Sequence, residues 1–379
     1  MLIFREGVFL WDPEGNRYYD FLSAYSAVNQ GHCHPRIVKA MVDQAQTLTL
    51  TSRAFHSDKL GQAEKFLAEY FGFDKVLMMN SGAEAVETAI KLTRKWAYEV
   101  KGIPLDQAKI IVCNENFHGR TIGIISFSSD PVARDHYGPY TPGFESIPYS
   151  DLDALEKALE DPNVAGFLVE PIQGEAGINV PADGFLAKAN ALCKSKNVLF
   201  IADEIQTGIA RTGRRLCIDH EDVHPDVLIL GKALSGGTMP VSAVLANDPV
   251  MLVIKPGQHG STYGGNPLAC AVAMEAIRVV EDEKLAENAE RLGQLFRTRM
   301  AAIDHPMRGF VRGKGLLNAV AINPMNGKKA WDVCVKLKEN GLLAKPTHEH
   351  IIRFAPPLVI TEEQVNDCCD IIERTIKSF

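Results

Sequence analysis

The sequence has no surplus of positive charge. Forty Lys and Arg stand against forty-seven Asp and Glu in 379 residues, so there is no excess of cations to neutralise a run of phosphates or an anionic leaflet. Nucleic acid and membrane surfaces are therefore not expected partners. No apolar stretch approaches the roughly 18 residues of a membrane helix. Met1-Leu2-Ile3-Phe4-Arg5-Glu6 has neither the basic start nor the apolar run of a secretory signal. The expected location is the cytoplasm, or the mitochondrial matrix if a transit peptide lies upstream. The eight cysteines include no C-x-x-C pair, which excludes a zinc ribbon and argues against a disulfide framework. Also missing are an Asn-x-Ser/Thr acceptor, a G-x-x-x-x-G-K-S/T loop and a G-x-S-x-G elbow. Gly313-Lys314-Gly315 is followed by Asn318, where a dinucleotide fingerprint needs Gly or Ala.

What is present describes an ordinary globular chain, 46% hydrophobic with 30 Gly and 20 Pro. At this length two domains sharing a large interior are expected. Val8–Trp11 and Arg17–Phe21, separated by Asp-Pro-Glu-Gly-Asn, read as a hairpin. Short apolar runs then alternate with helical stretches: Val76–Met79, Ile110–Val112, Phe167–Val169, Val198–Ile201 and Val227–Leu230. Such runs are typical of buried parallel strands. After the first of them, Ser81 can cap a helix whose apolar face runs through Val86, Ala89, Ile90, Thr93, Trp96, Ala97 and Val100. Helices dominate from about residue 267, one of them opening at Thr361 with Gln364 in capping-box spacing. Strand-like segments lie at Leu316–Ile322 and Ile351–Phe354. The expected organisation is an α/β domain over residues 40–270 and a smaller α+β domain from 1–39 and 271–379.

His220-Glu221-Asp222-Val223-His224 matches H-E-x-x-H, which on a helix would make a zinc hydrolase site. Pro225 follows at once and biases His224 away from helical geometry, so no metal is expected there. His32-Cys33-His34-Pro35 reads as a turn into a helix.

In open α/β sheets ligands sit beyond the carboxyl ends of strands. Four such ends are rich in polar residues: Asn80-Ser81-Gly82-Ala83, Glu170-Pro171-Ile172-Gln173-Gly174-Glu175, Asp203-Glu204-Ile205-Gln206 and Gly231-Lys232-Ala233-Leu234-Ser235. A Lys, a buried Asp and a helix N-terminus that can hold phosphate are together the three contacts pyridoxal 5'-phosphate needs. Singly, each is an ordinary surface or turn residue.

The run Leu199–Gly208 followed by Lys232 in Gly-Lys-Ala-Leu-Ser-Gly-Gly resembles the signature of the class III aminotransferases. Tyr25–His32, Val169–Gly177, His259–Pro267, Asn340–Lys345 and Ile352–Pro357 extend the resemblance over nearly the whole chain, most closely toward the members that use ornithine. The resemblance implies the type I fold of pyridoxal-phosphate enzymes, as in aspartate aminotransferase, with a mostly parallel central sheet. It implies Lys232 as the Schiff-base lysine and Asp203 as the partner of the ring nitrogen, these two being catalytic. Gln206 would reach the ring hydroxyl, Phe117 would stack on the ring, and Ser81, Gly82, Ala83, Glu170, Ser261 and Thr262 would complete the cofactor contacts. Thr262 would serve the neighbouring subunit of a homodimer. For substrate, Arg353 would be neutralised by Glu175 when ornithine binds and released for 2-oxoglutarate, while Arg120 would grip the distal carboxylate of the oxo acid. Tyr25 would separate ornithine from acetylornithine and 4-aminobutyrate, whose enzymes carry an aliphatic residue there. Two departures stand out. His118 takes a place where some relatives have Trp, and the segment ahead of the hairpin, which in the family contributes an aromatic substrate contact, is not represented before Met1.

Overall fold

A computed structural model describes residues 1–52 and 54–379. Its centre is a seven-stranded sheet. In spatial order the strands are Lys75–Met79, Ser242–Ala246, Val227–Leu230, Leu199–Asp203, Val164–Val169, Lys109–Cys113 and Phe144–Ile147. The pairs among the last five are parallel, whereas Ser242–Ala246 runs antiparallel to both its neighbours. Alternation along these strands divides the core between two faces. Phe167, Val169, Phe200, Ala202, Leu228 and Leu230 point to one side, where helices Asp58–Phe71, Phe185–Ser195 and Pro267–Asp282 contribute Leu67, Phe185, Ala189 and Ile277. Leu168, Leu199, Ile201, Val227, Ile229 and Val244 point to the other, against Val86, Ala89, Ile90 and Trp96 of helix Gly82–Trp96. Burial on both faces explains why the strands read as continuous apolar runs.

Helix Gly82–Trp96 starts where the sequence indicates. Ser81 Oγ accepts from Glu84 N at 3.2 Å and the Glu84 carboxylate accepts from Ser81 N at 2.7 Å, a complete capping box. Its far end differs from the expectation. Residues Ala97–Lys101 form a π-helical turn, and Val100, expected on the buried face, is 55% exposed. The wider turn rotates that position out of the apolar stripe.

The chain opens on Phe4–Glu6, Phe9–Trp11 and Arg17–Asp20, an antiparallel meander whose last strand also pairs in parallel with Leu342–Leu343. A four-stranded antiparallel sheet is ordered Arg308–Lys314, Leu317–Ile322, Ile351–Phe354, Lys345–Thr347. Between them, Ser23, Ala24, Tyr25 and Ser26 all have positive φ, from 46° to 70°. That is a turn of left-handed helix built without glycine, a conformation costing about 1–2 kcal/mol per residue. Asp20 Oδ1 accepts from the N–H of Leu22 and Ser23, both at 2.9 Å, and Ser23 Oγ donates to Ala355 O at 2.7 Å. These bonds hold the turn and fix the direction of Tyr25.

No helix among the described residues is long and apolar enough to cross a membrane. All eight cysteines are free, and only Cys33 is exposed.

Candidate active site

The carboxyl ends of five strands of this sheet open on a cavity of about 210 Å³ lined by Gly82, Ala83, Phe117, His118, Gly119, Glu170, Ile172, Asp203, Ile205, Gln206, Thr207 and Lys232. Lys232 opens a single 3₁₀ turn and has φ of 42°. A non-glycine residue in this region is strained by roughly 1–3 kcal/mol, and such strain clusters at functional sites. Burial pushes the Lys232 ammonium below its ordinary pKa, partly offset by the negative charges of Glu175 and Asp203. A larger share of neutral amine, able to attack a carbonyl or accept a proton, is the consequence.

Asp203 ends its strand buried. Its Oδ1 accepts from Ile205 N at 3.1 Å and its Oδ2 lies 2.6 Å from His118 Nδ1. Burial alone would lower the His118 pKa, but the hydrogen bond and charge of Asp203 raise it on balance. The sequence marks His118 only as a departure from relatives. Its bond to Asp203 joins residues 85 positions apart, which periodicity does not report. Glu170 is buried beside them, accepts from Phe117 N at 2.9 Å, and is pushed by burial up to about 7. Tyr149, another residue without a sequence signal, donates to the carbonyls of Glu170 or Pro171 at 3.0 and 2.9 Å.

On the opposite wall, Gly82 and Ala83 place the N-terminal turn of helix Gly82–Trp96 on the cavity, where free N–H groups and the helix dipole suit an anion. Ser81 O accepts from Ser242 Oγ at 2.7 Å, so the strand Ser242–Ala246 anchors this turn. A side chain at Gly82 would meet Ile205 Cδ1 at 3.0 Å, which keeps the backbone bare on this wall.

Beyond Gln206 lies an ion pair. Arg353 Nη1 donates to Glu175 Oε1 at 2.7 Å, and Gln206 Nε2 donates to the same oxygen at 3.1 Å. Burial would raise Glu175, but Arg353 beside it brings the carboxyl below its usual range. The Tyr25 ring lies over the Arg353 guanidinium, with Cζ 4.9 Å from its centroid. The structure thus gathers Lys232, Asp203, Gln206, Glu170, Phe117, Gly82 and Ala83 around one cavity, with Glu175, Arg353 and Tyr25 adjoining it. Arg120 is exposed at the rim, its Cζ 5.8 Å from the Phe117 centroid. Ser261 is bonded to Asn80 Nδ2 at 2.8 Å, and Thr262 lines a separate cavity with Phe55, His56 and Leu60.

The three side chains of the H-E-x-x-H run go to different tasks. His220 Nε2 bonds Thr212 O at 2.9 Å, His224 stacks on Phe73 at 4.6 Å, and Glu221 accepts from Gly184 N and Ala187 N at the start of helix Phe185–Ser195. Residues Cys217–Glu221 form a 3₁₀ turn that ends before His224, so the helical face a zinc site requires does not exist.

Residues 3–376 match the family model described as aminotransferase class III. The chain is 61% identical to a mitochondrial ornithine aminotransferase of Drosophila ananassae, over 99% of this chain and 86% of that protein. It superposes with TM-score 0.98 and 55% identity on an ornithine aminotransferase of Toxoplasma gondii whose structure has PLP at partial occupancy in its active site, covering 100% of this chain and 89% of that one. It also superposes with TM-score 0.91 and 61% identity on an acetylornithine aminotransferase of Elizabethkingia anophelis, covering 100% and 94%. With Lys232, Asp203 and the helix N-terminus converging at the ends of a mostly parallel sheet, and a family match over almost every residue, the chain belongs to the class III aminotransferases.

Proposed function

We propose that this protein transfers the δ-amino group of L-ornithine to 2-oxoglutarate, giving glutamate 5-semialdehyde, which cyclises to pyrroline-5-carboxylate, and glutamate. The cavity suits pyridoxal 5'-phosphate on its own donor set: an amine with lowered pKa, a buried carboxylate, an aromatic ring and a bare helix N-terminus. When bound, that group supplies an electron sink for the amino-bearing carbon of the substrate. Gly82, Ala83 and the Ser81 turn would hold its phosphate, Phe117 would cover its ring, and Asp203, oriented by His118, would face its ring nitrogen. Lys232 Nζ then holds and moves the proton of the amino-bearing carbon.

The observation that carries the substrate reading is the bond between Arg353 and Glu175. One pocket must take a diamino acid through its distal amine and then a dicarboxylate oxo acid. With Glu175 paired to it, Arg353 presents little net charge to ornithine's ammonium end. Released from Glu175, it can grip the carboxylate next to the reacting carbon of 2-oxoglutarate. Arg120 at the rim suits that substrate's distal carboxylate.

The likeness to an acetylornithine aminotransferase favours a second reading in which N-acetylornithine is the donor. Tyr25 distinguishes them. The test compares kcat/KM for ornithine, N-acetylornithine and 4-aminobutyrate in wild type and Tyr25→Ile. Ornithine is expected to lead in the wild type and to lose its lead in the variant; no preference for ornithine in the wild type overturns the reading.

A homodimer follows from the same proposal. Thr262 is exposed and lines a cavity apart from Lys232, so its contact with cofactor would be made across a subunit interface. Thr262→Ala should weaken cofactor binding while the dimer persists in sedimentation; a monomeric wild type contradicts the proposal.

A further inference from the structure

The loop that carries Glu175 is held by a second arginine. Residues 174–178 close on themselves, with Gly177 N and Ile178 N both donating to Gly174 O at 3.3 Å, and Gln173 and Asn179 pair at the base. From outside the loop, Arg312 Nε and Nη2 both donate to Gly177 O, at 3.1 and 2.7 Å. Phe310 backs the guanidinium, whose Cζ lies 4.7 Å from the ring centroid. Arg312 pairs with Ala319, and Ala319 with Arg353 on the next strand. Directly opposed residues leave a sheet on the same face. One row of this sheet therefore sends two arginines to the loop, Arg353 to the Glu175 carboxylate and Arg312 to the backbone two residues on. Between them Ala319 packs with Ile172 and Ile178. Ile178 is buried with φ of 58°, a strained conformation for a β-branched residue that persists only where the surroundings hold it.

Glu175 needs such an anchor because it meets Arg353 through one hydrogen bond. Nη1 donates to Oε1 at 2.7 Å, while Arg353 Nε is buried without a partner. A single contact lacks the geometric hold of a bidentate fork and weakens steeply as its geometry departs from ideal. We propose that Arg312 is a positioning residue for the reaction: by gripping Gly177 O it fixes the backbone beneath Glu175, so that the carboxylate covers Arg353 for ornithine and leaves by side-chain rotation for 2-oxoglutarate. This rests on the switching role of Glu175 given above. Arg312 does not line the Lys232 cavity, so its effect passes through Glu175. The sign of the effect separates anchoring from charge. Without the anchor Glu175 drifts, Arg353 is less well covered, and ornithine suffers while 2-oxoglutarate does not. Loss of the Arg312 charge alone acts the other way, favouring cationic ornithine over the dianionic oxo acid.

Ping-pong kinetics separate the two half-reactions, because kcat/KM for each substrate reports its own half. In the cofactor-loaded protein, Arg312→Met is expected to lower kcat/KM for ornithine by about tenfold, the scale of one lost charged hydrogen bond. The value for 2-oxoglutarate should hold within about twofold or rise. Arg312→Lys keeps the charge but not the planar two-donor grip, so it should show a smaller loss of the same kind; it carries the test if Arg312→Met does not fold. A double-mutant cycle supplies the readout that a merely structural role would not move. Glu175→Ala should itself lower the ornithine value and spare 2-oxoglutarate, and adding Arg312→Met to it should change neither value by more than about twofold. An unchanged ornithine value in Arg312→Met, equal falls for both substrates, or a full tenfold loss persisting on the Glu175→Ala background overturns the anchor. If Glu175→Ala affects both substrates alike, the switching reading falls and the anchor with it; if Glu175→Ala discriminates and the Arg312 variants do not, the anchor alone falls.

Discussion

The bond between His118 and Asp203 makes a quantitative prediction for the cofactor-free protein. Both side chains are buried, and Nδ1 to Oδ2 is 2.6 Å. In His118→Leu, Asp203 keeps one hydrogen bond, from Ile205 N, and the attraction of Lys232 across the cavity, but its buried carboxylate loses its direct charged partner. Removing one partner of a buried pair costs about 3–5 kcal/mol, chiefly through the stranded charge. Leucine fills a similar volume, and because His118 Nε2 has no partner, no second bond is lost on that side. Asp203→Leu strands the histidine in turn and also forfeits the Ile205 bond, worth about 1 kcal/mol. Replacing both residues leaves no stranded charge, so the double variant should be more stable than either single one. Thermal unfolding of the four cofactor-free proteins gives the cycle, with each single variant melting well below wild type and the double variant between. Additive losses would refute the claim that these groups act as a pair.

Glu204 supplies a second test. Burial raises its carboxyl from 4.5 to about 8, while Thr207 and Ile218 N donate to it. Since the folded pKa is above the unfolded one, its contribution to stability is full below about 4.5 and is lost as pH rises through about 8. The urea midpoint of the wild type should therefore fall more between pH 6 and pH 9 than that of Glu204→Gln; equal slopes would contradict this. Gly174 is the third. A Cβ there would stand 1.5 Å from Gln206 Oε1, so Gly174→Ala must displace Gln206 from Glu175. A displacement near 1 Å costs on the order of a hundredfold in rate, expected in kcat/KM for ornithine with little change in melting temperature.

Much of this architecture was legible in the residues. Val227–Leu230 and Ile351–Phe354 begin and end where the apolar runs do, and the polar residues at the strand ends converge on one cavity. The strand Ser242–Ala246 carries little sequence signal, because Ser-Ala-Val-Leu-Ala is short, lacks aromatics and has no alternation. Its antiparallel direction follows from tertiary pairing, not from any local signal. The left-handed turn carrying Tyr25 was hidden because its sequence, Ser-Ala-Tyr-Ser, contains none of the glycines that usually mark positive φ. What holds it is Asp20 and the carbonyl of Ala355, the latter distant in sequence. His118 shows the same limit. Its place beside Asp203 comes from a partner 85 positions away, which only the fold brings together.

The central claim is that the Lys232 cavity removes the δ-amino group of ornithine. A single turnover tests it most directly: cofactor-loaded protein is mixed with ornithine in the absence of 2-oxoglutarate, and the semialdehyde is trapped and counted. The account predicts one equivalent per chain from the wild type, with bleaching of the long-wavelength cofactor band, and none from Lys232→Ala. No semialdehyde from the wild type, or the wild-type rate from Lys232→Ala, would contradict it.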